Sequence, residues 1–251
     1  MTEIEVLAAG SLRHVMRDLA PRFSRQAGVG VAVRHGPAGL LRAEIEEGAQ
    51  ADVFLSADLG HPKRLFERGL AGPVHPFATN RLVAVVRSKL VQSGQDFVDM
   101  LLDPAVAIGS STPRKDPSGD YAWALFDKID ALRPGASVAL KAKARQIVGG
   151  SRAIPMQDAG NPIVDAFRNG SIDIFLGYST GTATLLSQLH DVEIVFPPSA
   201  LSVVPVYGAT VLLRARPRSE EFLSFLLSEP ARRHLADFGF GSPETPDSLG
   251  Q

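Results

Sequence analysis

Cysteine is absent from the 251-residue sequence. Disulfides, thiolate metal sites and a cysteine nucleophile are excluded together, and the redox compartment stays open. Excess charge is absent too. Lysine plus arginine number 26 against 27 aspartates and glutamates, a formal net charge of −1, so nucleic acid and anionic membrane surfaces find no electrostatic handle. No run approaches the ~18 consecutive apolar residues of a membrane span, and insertion into a bilayer is not expected. There is no internal repeat, no low-complexity tract and no His/Asp/Glu spacing suited to a bound metal ion, and no cofactor is expected. Tryptophan occurs once. Trp123, near the start of a helical stretch, reads as core rather than as a cofactor platform. The chain enters a strand pattern at once, Ile4-Glu5-Val6-Leu7, so no leader peptide is expected in the sequence as it stands.

What is present is enough apolar material for a real core, 45% hydrophobic residues against 21% charged. The length suits one large domain or two of ordinary size. Strand and helix patterns alternate. After the first strand, Leu12, Val15, Met16, Leu19 and Phe23 recur at helical spacing, with Ser11 placed as N-cap. "VGVAVRHG" reads as a strand, "GLLRAEIEEGA" as a helix ending at Gly48, and "ADVFLSAD" as a buried strand carrying the continuous run Val53, Phe54, Leu55. "RLVAVVRS" and "AVAIGSS" are further strands, and Ala122, Leu125, Phe126 and Ile129 mark one helix face. Asn161-Pro162 joins N-cap and N1 signals on a helix that Gly170 closes. "VEIVFPP" is a strand, "LSVVPVYGATVLLRA" a long apolar strand pair, and the C-terminal helix carries Phe222, Phe225 and Leu226. The last residues, "SPETPDSLGQ", read as a frayed tail.

Strands separated by helices predict a parallel-rich α/β sheet, in which ligands gather at the carboxyl ends of strands beside helix N-termini. Five strand-to-helix turns are therefore candidates: "AAGSL", "RHGPAGLL", "STPRKDPSGDY", "QDAGNPIV" and "GYSTGTA". All are rich in small residues and hydroxyls, and each presents backbone N–H groups to an anion.

The last of these turns also spells G-x-S-x-G, the nucleophile elbow of serine hydrolases, with Ser179 in the reactive place. That chemistry needs an acid and then a histidine after the serine. Downstream stand His190, in the amphipathic stretch after the turn, and His234, in the terminal helix beside Arg232 and Arg233. Neither follows a strand in a loop, where a triad histidine belongs. His35 in "RHGPAG" resembles an oxyanion-loop His-Gly and keeps the hydrolase as the alternative from another class. Ser179 as a helix cap is the preferred reading.

Taken together, the turns resemble the molybdate-binding periplasmic proteins of ABC transporters, within the type II periplasmic-binding-protein superfamily. "VLAAGSLRHVMRDLAPRF" (6–23) is similar to that family's opening strand, Ala-Ala-x-Ser-Leu turn and first helix. "EIEEGAQADVFLSAD" (44–58) is close to the family's x-I-E-x-G-A-x-A-D-x-F-x-S-A-D. "DPSGDYAWALF" and "AFRNGSIDIFLGYSTGTA" match more loosely, and the likeness covers most of residues 4–240.

The resemblance implies a two-lobed α/β fold, each lobe a mixed sheet flanked by helices, joined by two crossover strands with the ligand in the cleft. One lobe is expected at residues 1–80 plus 200–251 and the other at 81–199. It also implies a non-enzymatic, monomeric binding protein, periplasmic with a cytoplasmic location as the alternative. Such a protein captures molybdate or tungstate for an ABC permease, holding the metal as its oxyanion through hydroxyls and backbone amides and without a cation. Carried onto this chain, the ligand-binding residues are Ser11, Ala38, Gly39, Ser118, Gly160 and Tyr178, with Gly10 and Asn161 beside them. Each has a purely structural alternative: Ser11 and Ser118 as N-caps, Tyr178 as a core ring. One departure stands out. Where the family has serines in the second turn, this chain has Gly36-Pro37-Ala38-Gly39, and Pro37 has no amide to donate. Arg34, His35, Arg114 and Lys115 flank the expected site, which a neutral pocket does not need. A sulfate-like anion or an organic carboxylate is accordingly the alternative ligand.

Overall fold

The computed structural model describes residues 3–92, 94–149 and 160–243. Residues 157–159 of the fourth candidate turn and all but the first two residues of the C-terminal tail lie outside the described residues. The chain forms two units, Met1–Asn80 with Pro205–Gln251 and Arg81–Val204.

In chain order the first unit runs β1 (Glu3–Ala9), α1 (Arg13–Ala27), β2 (Gly30–Gly36), α2 (Ala38–Glu46), β3 (Val53–Ser56), α3 (Gly60–Glu67) and β4 (His75–Thr79). The second holds β5 (Leu82–Arg87), α4 (Ser88–Gln92), α5 (Phe97–Leu102), β6 (Ile108–Ser111), α6 (Pro117–Asp130), α7 (Ala136–Lys143), β7 (Arg145–Val148), α8 (Pro162–Arg168), β8 (Ile174–Tyr178), α9 (Thr182–Leu186) and β9 (Val192–Val195). The chain then returns to the first unit through β10 (Val206–Val211), α10 (Ser219–Leu226) and α11 (Glu229–Asp237).

Each unit is a mixed five-stranded sheet with helices on it, ordered β2-β1-β3-β10-β4 in the first and β7-β6-β8-β5-β9 in the second. The two orders follow one plan. Three strands run parallel, and the strand next to a crossing point, β10 or β5, enters antiparallel to its neighbours. The crossings fall at Asn80/Arg81 and Val204/Pro205. The return lies after 204 rather than at 199/200 because Leu201 and Val203 pack into the second unit's core, where Val203 also accepts the Leu82 amide at 3.1 Å.

The helical and strand periodicities are reproduced as burial. Leu12, Val15, Met16, Leu19 and Phe23 are all buried, with the Phe23 ring set edge-on to Phe222 at 5.2 Å. Ala122, Leu125, Phe126 and Ile129 form the buried face of α6, and Trp123 packs on the same core half-buried. The expected strand pair over 201–215 is one strand only, β10, preceded by a short 3₁₀ turn at Ser199–Leu201. Both hydrogen-bonding edges of β10 are already filled, by β3 and by β4.

The second family-like motif of the sequence, within "EIEEGAQADVFLSAD", finds part of its meaning in the frame. Asp52 is 2% exposed. Its carboxylate accepts the amide of Glu5 at 2.6 Å and that of Arg216 at 2.7 Å, and pairs with the Arg216 guanidinium at 3.1 Å. It ties β1 to the chain beyond β10, and a buried carboxylate is tolerable because these donors satisfy it.

Candidate functional site

The carboxyl edge of the first sheet collects one set of candidates. Ser11 lies in a 3₁₀ turn, Gly10–Leu12, directly after β1, with Gly10 exposed and Ser11 half-buried. Ser11 is not the cap of α1: the cap position is Leu12, and it makes no side-chain bond. The Ser11 hydroxyl instead lies 2.8 Å from the phenol oxygen of Tyr207, which also accepts the Asn80 side-chain amide at 3.1 Å. The serine is thus held by tertiary contact at the sheet edge and leaves the α1 amides alone.

Beside it, β2 turns into α2 at Pro37. The helix ladder begins with Leu40 and Leu41, both donating to the Pro37 carbonyl at 3.0 Å. The amides of Ala38 and Gly39 stand ahead of that ladder at the positive end of the helix dipole, where an anion is favoured. Both residues are buried.

The carboxyl edge of the second sheet collects the other set. α6 begins at Pro117, and its N-cap is Asp116, whose carboxylate accepts the Ser118 amide at 3.1 Å. Ser118 is the second helical residue, 5% exposed, and does not cap. Tyr178 ends β8 half-buried, its ring 6.4 Å from that of Tyr121 in edge-to-face geometry, so it is no core ring. Gly160 is exposed, and Asn161 caps α8 through its carbonyl oxygen to the Ile163 amide at 3.1 Å.

Asp116 dominates the electrostatics of this edge. Part of the residue reaches solvent, but burial of its carboxyl is the largest influence and pushes it up to about 6. The Ser118 amide and the Ser111 hydroxyl pull the other way, and the Asp120 carboxylate adds to the rise. At neutral pH the edge therefore carries a carboxylate whose charge is weakly held.

Of the four flanking basic residues, Arg34 is exposed and paired with Glu44 at 2.5 Å. His35 is half-buried, and burial, with Arg13 nearby, holds it down to about 4, so it is neutral at pH 7. Arg114 is exposed and sits at φ 65, with its amide donating to Asp120 at 2.8 Å; Lys115 is half-buried.

Ser179 occupies a 3₁₀ turn, Ser179–Gly181, and does not cap α9. Its carbonyl accepts the Thr182 hydroxyl at 2.7 Å, and its amide donates to Arg81 at 2.9 Å. His190 is the only histidine between 81 and 204. Tyr178 pairs with Leu82 and Val192 with Arg87, so Ser179 and His190 stand at opposite ends of β5. At ~3.4 Å per residue that is roughly 17 Å along the sheet, far beyond proton transfer. His234 is engaged in the first unit, 3.4 Å from Asp18. Among the described residues, no group of three or more His, Asp or Glu stands together as a metal site, and no helix is long and apolar enough to cross a membrane.

Three residues at these edges escaped sequence reasoning. Asp116 was legible, since Asp-Pro ahead of an apolar-periodic run is an N-cap and N1 pair. Tyr207 and Asn80 had no local signal, because they meet Ser11 only through the order of the strands.

Comparison with known proteins bears on what such edges serve. Residues 4–241 match the family described as bacterial extracellular solute-binding protein. A protein of Pasteurella multocida is 32% identical over 238 residues, covering 94% of this chain and 98% of that protein. The molybdate-binding protein ModA of Mycobacterium tuberculosis is 26% identical over 253 residues, covering 96% and 85%. Among solved structures, the sulfate-binding protein SubI of the same organism aligns with a TM-score of 0.78 at 19% identity, covering 98% of this chain and 88% of that one.

Proposed function

The chain belongs to the family of bacterial extracellular solute-binding proteins, and from that premise we propose that it captures a small oxyanion, molybdate or tungstate first, for the permease of a periplasmic ABC importer. Its fold is that of the type II periplasmic binding proteins. The observation that carries the ligand reading is the first sheet's carboxyl edge. There the Ser11 hydroxyl stands clear of any capping duty, and the Ala38 and Gly39 amides stand ahead of the α2 ladder. Fixed hydroxyl and amide dipoles replace the hydration shell of a dianion without a counter-cation. The likeness to a molybdate-binding protein over nearly the whole chain supports the choice of ligand.

In this reading Ser11, Ala38 and Gly39 are the first unit's donors, and Ser118, Gly160 and Tyr178 the second's. The protein binds and releases without catalysis; the separation of Ser179 from His190 along β5 supports that. A second reading, a sulfate-like or organic anion, is favoured by the missing hydroxyls at Gly36-Pro37-Ala38-Gly39 and by the structural likeness to a sulfate-binding protein.

A thermal-shift screen with molybdate, tungstate, sulfate, phosphate and small carboxylates separates the readings. A ligand at a hundred times its Kd adds about 2.7 kcal/mol of stability, a readily measured shift. Molybdate and tungstate are expected to give the largest rise. Affinity for molybdate weaker than millimolar, with tight binding of another anion, replaces the first reading by the second.

A further inference from the structure

The start of α1 carries charge of the sign its position disfavours. Arg13 is the first residue of the helix, at the positive end of its dipole, and the first turn holds no acidic residue. Arg17 stands one turn on, at i+4, where like charges on a helix face repel. Arg13 is half-buried, and burial, with Arg17 nearby, lowers its guanidinium below the ordinary arginine range. Asp18, the next acidic residue of the helix, faces His234 at 3.4 Å. Among the described residues neither Arg13 nor Arg17 makes a hydrogen bond or an ion pair.

Both guanidiniums converge on His35. α1 packs on β2, where His35 lies opposite Ala8 in the strand register, and Arg13 and Arg17 both act on its ring. The Nδ1 atom of that ring is buried and has no hydrogen-bond partner among the described residues. Helix dipole, like charge and desolvation thus all work against Arg13, and no carboxylate offsets them. Charges taken out of water ordinarily come with a partner. We infer that Arg13 and Arg17, beside His35, form an anion subsite at the first unit's carboxyl edge that takes a sulfate-, phosphate- or carboxylate-type group from outside the chain. Guanidinium forks match the paired oxygens of such a group.

The subsite is separate from the hydroxyl and amide donors, although Arg13 follows Ser11 by two residues and His35 precedes Ala38 by three. It stands on the two arginines and does not require Ser11 to bind anything. Two sources supply the same chemistry: a second acidic group of the captured solute, or a separate oxyanion.

The test compares wild type, Arg13→Gln, Arg17→Gln, Ser11→Ala and Ser11→Ala/Arg13→Gln in low-salt buffer at pH 7.5, with sulfate as the probe. Without added anion, Arg13→Gln is expected to melt about 1–4 °C above wild type, because a disfavoured charge is gone. Sulfate is expected to raise the wild-type melting temperature along a saturating curve and to raise that of Arg13→Gln less, with Arg17→Gln in between. Calorimetry in the Ser11→Ala background isolates the subsite: adding Arg13→Gln is expected to weaken sulfate about tenfold or more, the range for a hydrogen bond to a charged group. Sulfoacetate, which joins a sulfonate to a carboxylate, separates the sources. One solute filling both places binds wild type at least tenfold tighter than sulfate does, with non-additive losses in Ser11→Ala and Arg13→Gln. A separate oxyanion gives two sulfates per chain and no such gain. Arg13→Gln that melts no higher without anion overturns the inference, as does equal sulfate affinity with and without Arg13. So does sulfate protection that rises equally in every variant without saturating, which is solvent exclusion. Loss of anion binding in Arg13→Gln with none in Ser11→Ala keeps the subsite and removes the proposed Ser11 donor.

Discussion

The carboxylate of Asp116 accepts the backbone amide of Ser118 at 3.1 Å, at the first turn of α6. An acidic cap thus competes for the donor that the second unit would offer an anion. A cap of this kind stabilises its helix by about 1 kcal/mol, yet its charge opposes any anion drawn to the same dipole.

A pH dependence follows from this pair. Asp116 is raised from its ordinary value to about 6, so the folded protein holds this proton at pH values where the unfolded chain has released it. Its contribution to stability is therefore fully present below the ordinary aspartate range and is lost as pH rises to about 6, then constant. Asp116→Asn keeps the cap acceptor and removes the charge. The variant is expected to melt higher than wild type above pH 7 and to lose that advantage near pH 4.5. Sulfate is fully ionised across this range. Its affinity for wild type is expected to rise about three- to tenfold from pH 7.5 to 5.5 and to stay flat in Asp116→Asn. A flat wild-type profile separates Asp116 from the ligand.

Ser11 and Arg114 carry opposite expectations for the ligand. If a small dianion binds, Ser11→Ala removes a hydrogen bond to a charged group, about 1.5–3 kcal/mol or roughly ten- to a hundredfold in Kd. Ala38→Ser is then neutral or tightening. Arg114 sits at φ 65, a left-handed backbone that glycine adopts without strain, so Arg114→Gly removes the guanidinium cleanly. Calorimetry is expected to show it within twofold of wild type for molybdate. A larger loss in Arg114→Gly than in Ser11→Ala, on whichever anion binds best, assigns the site to a bulkier ligand.

Gly119 is required by close approach. A Cβ there would lie 2.5 Å from the Ser111 carbonyl oxygen and 2.7 Å from the Pro113 nitrogen, both backbone atoms. Gly119→Ala has to push α6 away from the end of β6 and is expected to destabilise by about 1–3 kcal/mol. Urea unfolding measures the loss, and a change below about 0.5 kcal/mol contradicts the packing.

Ser179 is expected to be chemically inert. Wild type should hydrolyse no p-nitrophenyl ester above the rate of buffer, and Ser179→Ala should fold normally. Ester hydrolysis that vanishes in Ser179→Ala, with the melting curve unchanged, makes the protein an enzyme.

Much of this was written locally. The alternation of apolar strands with amphipathic helices, the small residues after β1 and β2, and the Asn161-Pro162 start of α8 depend on neighbours within a turn or two, so periodicity and capping chemistry expose them. Even the apolar face of α6 was readable, because a helix buries residues at a spacing the sequence carries. β4 and β7 were not read, since edge and short strands have too few inward residues to show a pattern.

Tertiary structure decided the rest, because hydrogen bonds and burial between distant residues follow strand order and leave no trace in spacing. Ser11 and Tyr207 are 196 residues apart and meet only because β10 inserts beside β3. The same insertion puts Asp52 against Arg216 and turns a family-like motif into a staple. Ser179 has the neighbours of a nucleophile in sequence, but the run of β9 alongside β5 sets His190 at the far end. Asp116 looks like any helix cap until the packing around α6 encloses its carboxyl and loosens its charge, a property of the surroundings that no stretch of sequence contains.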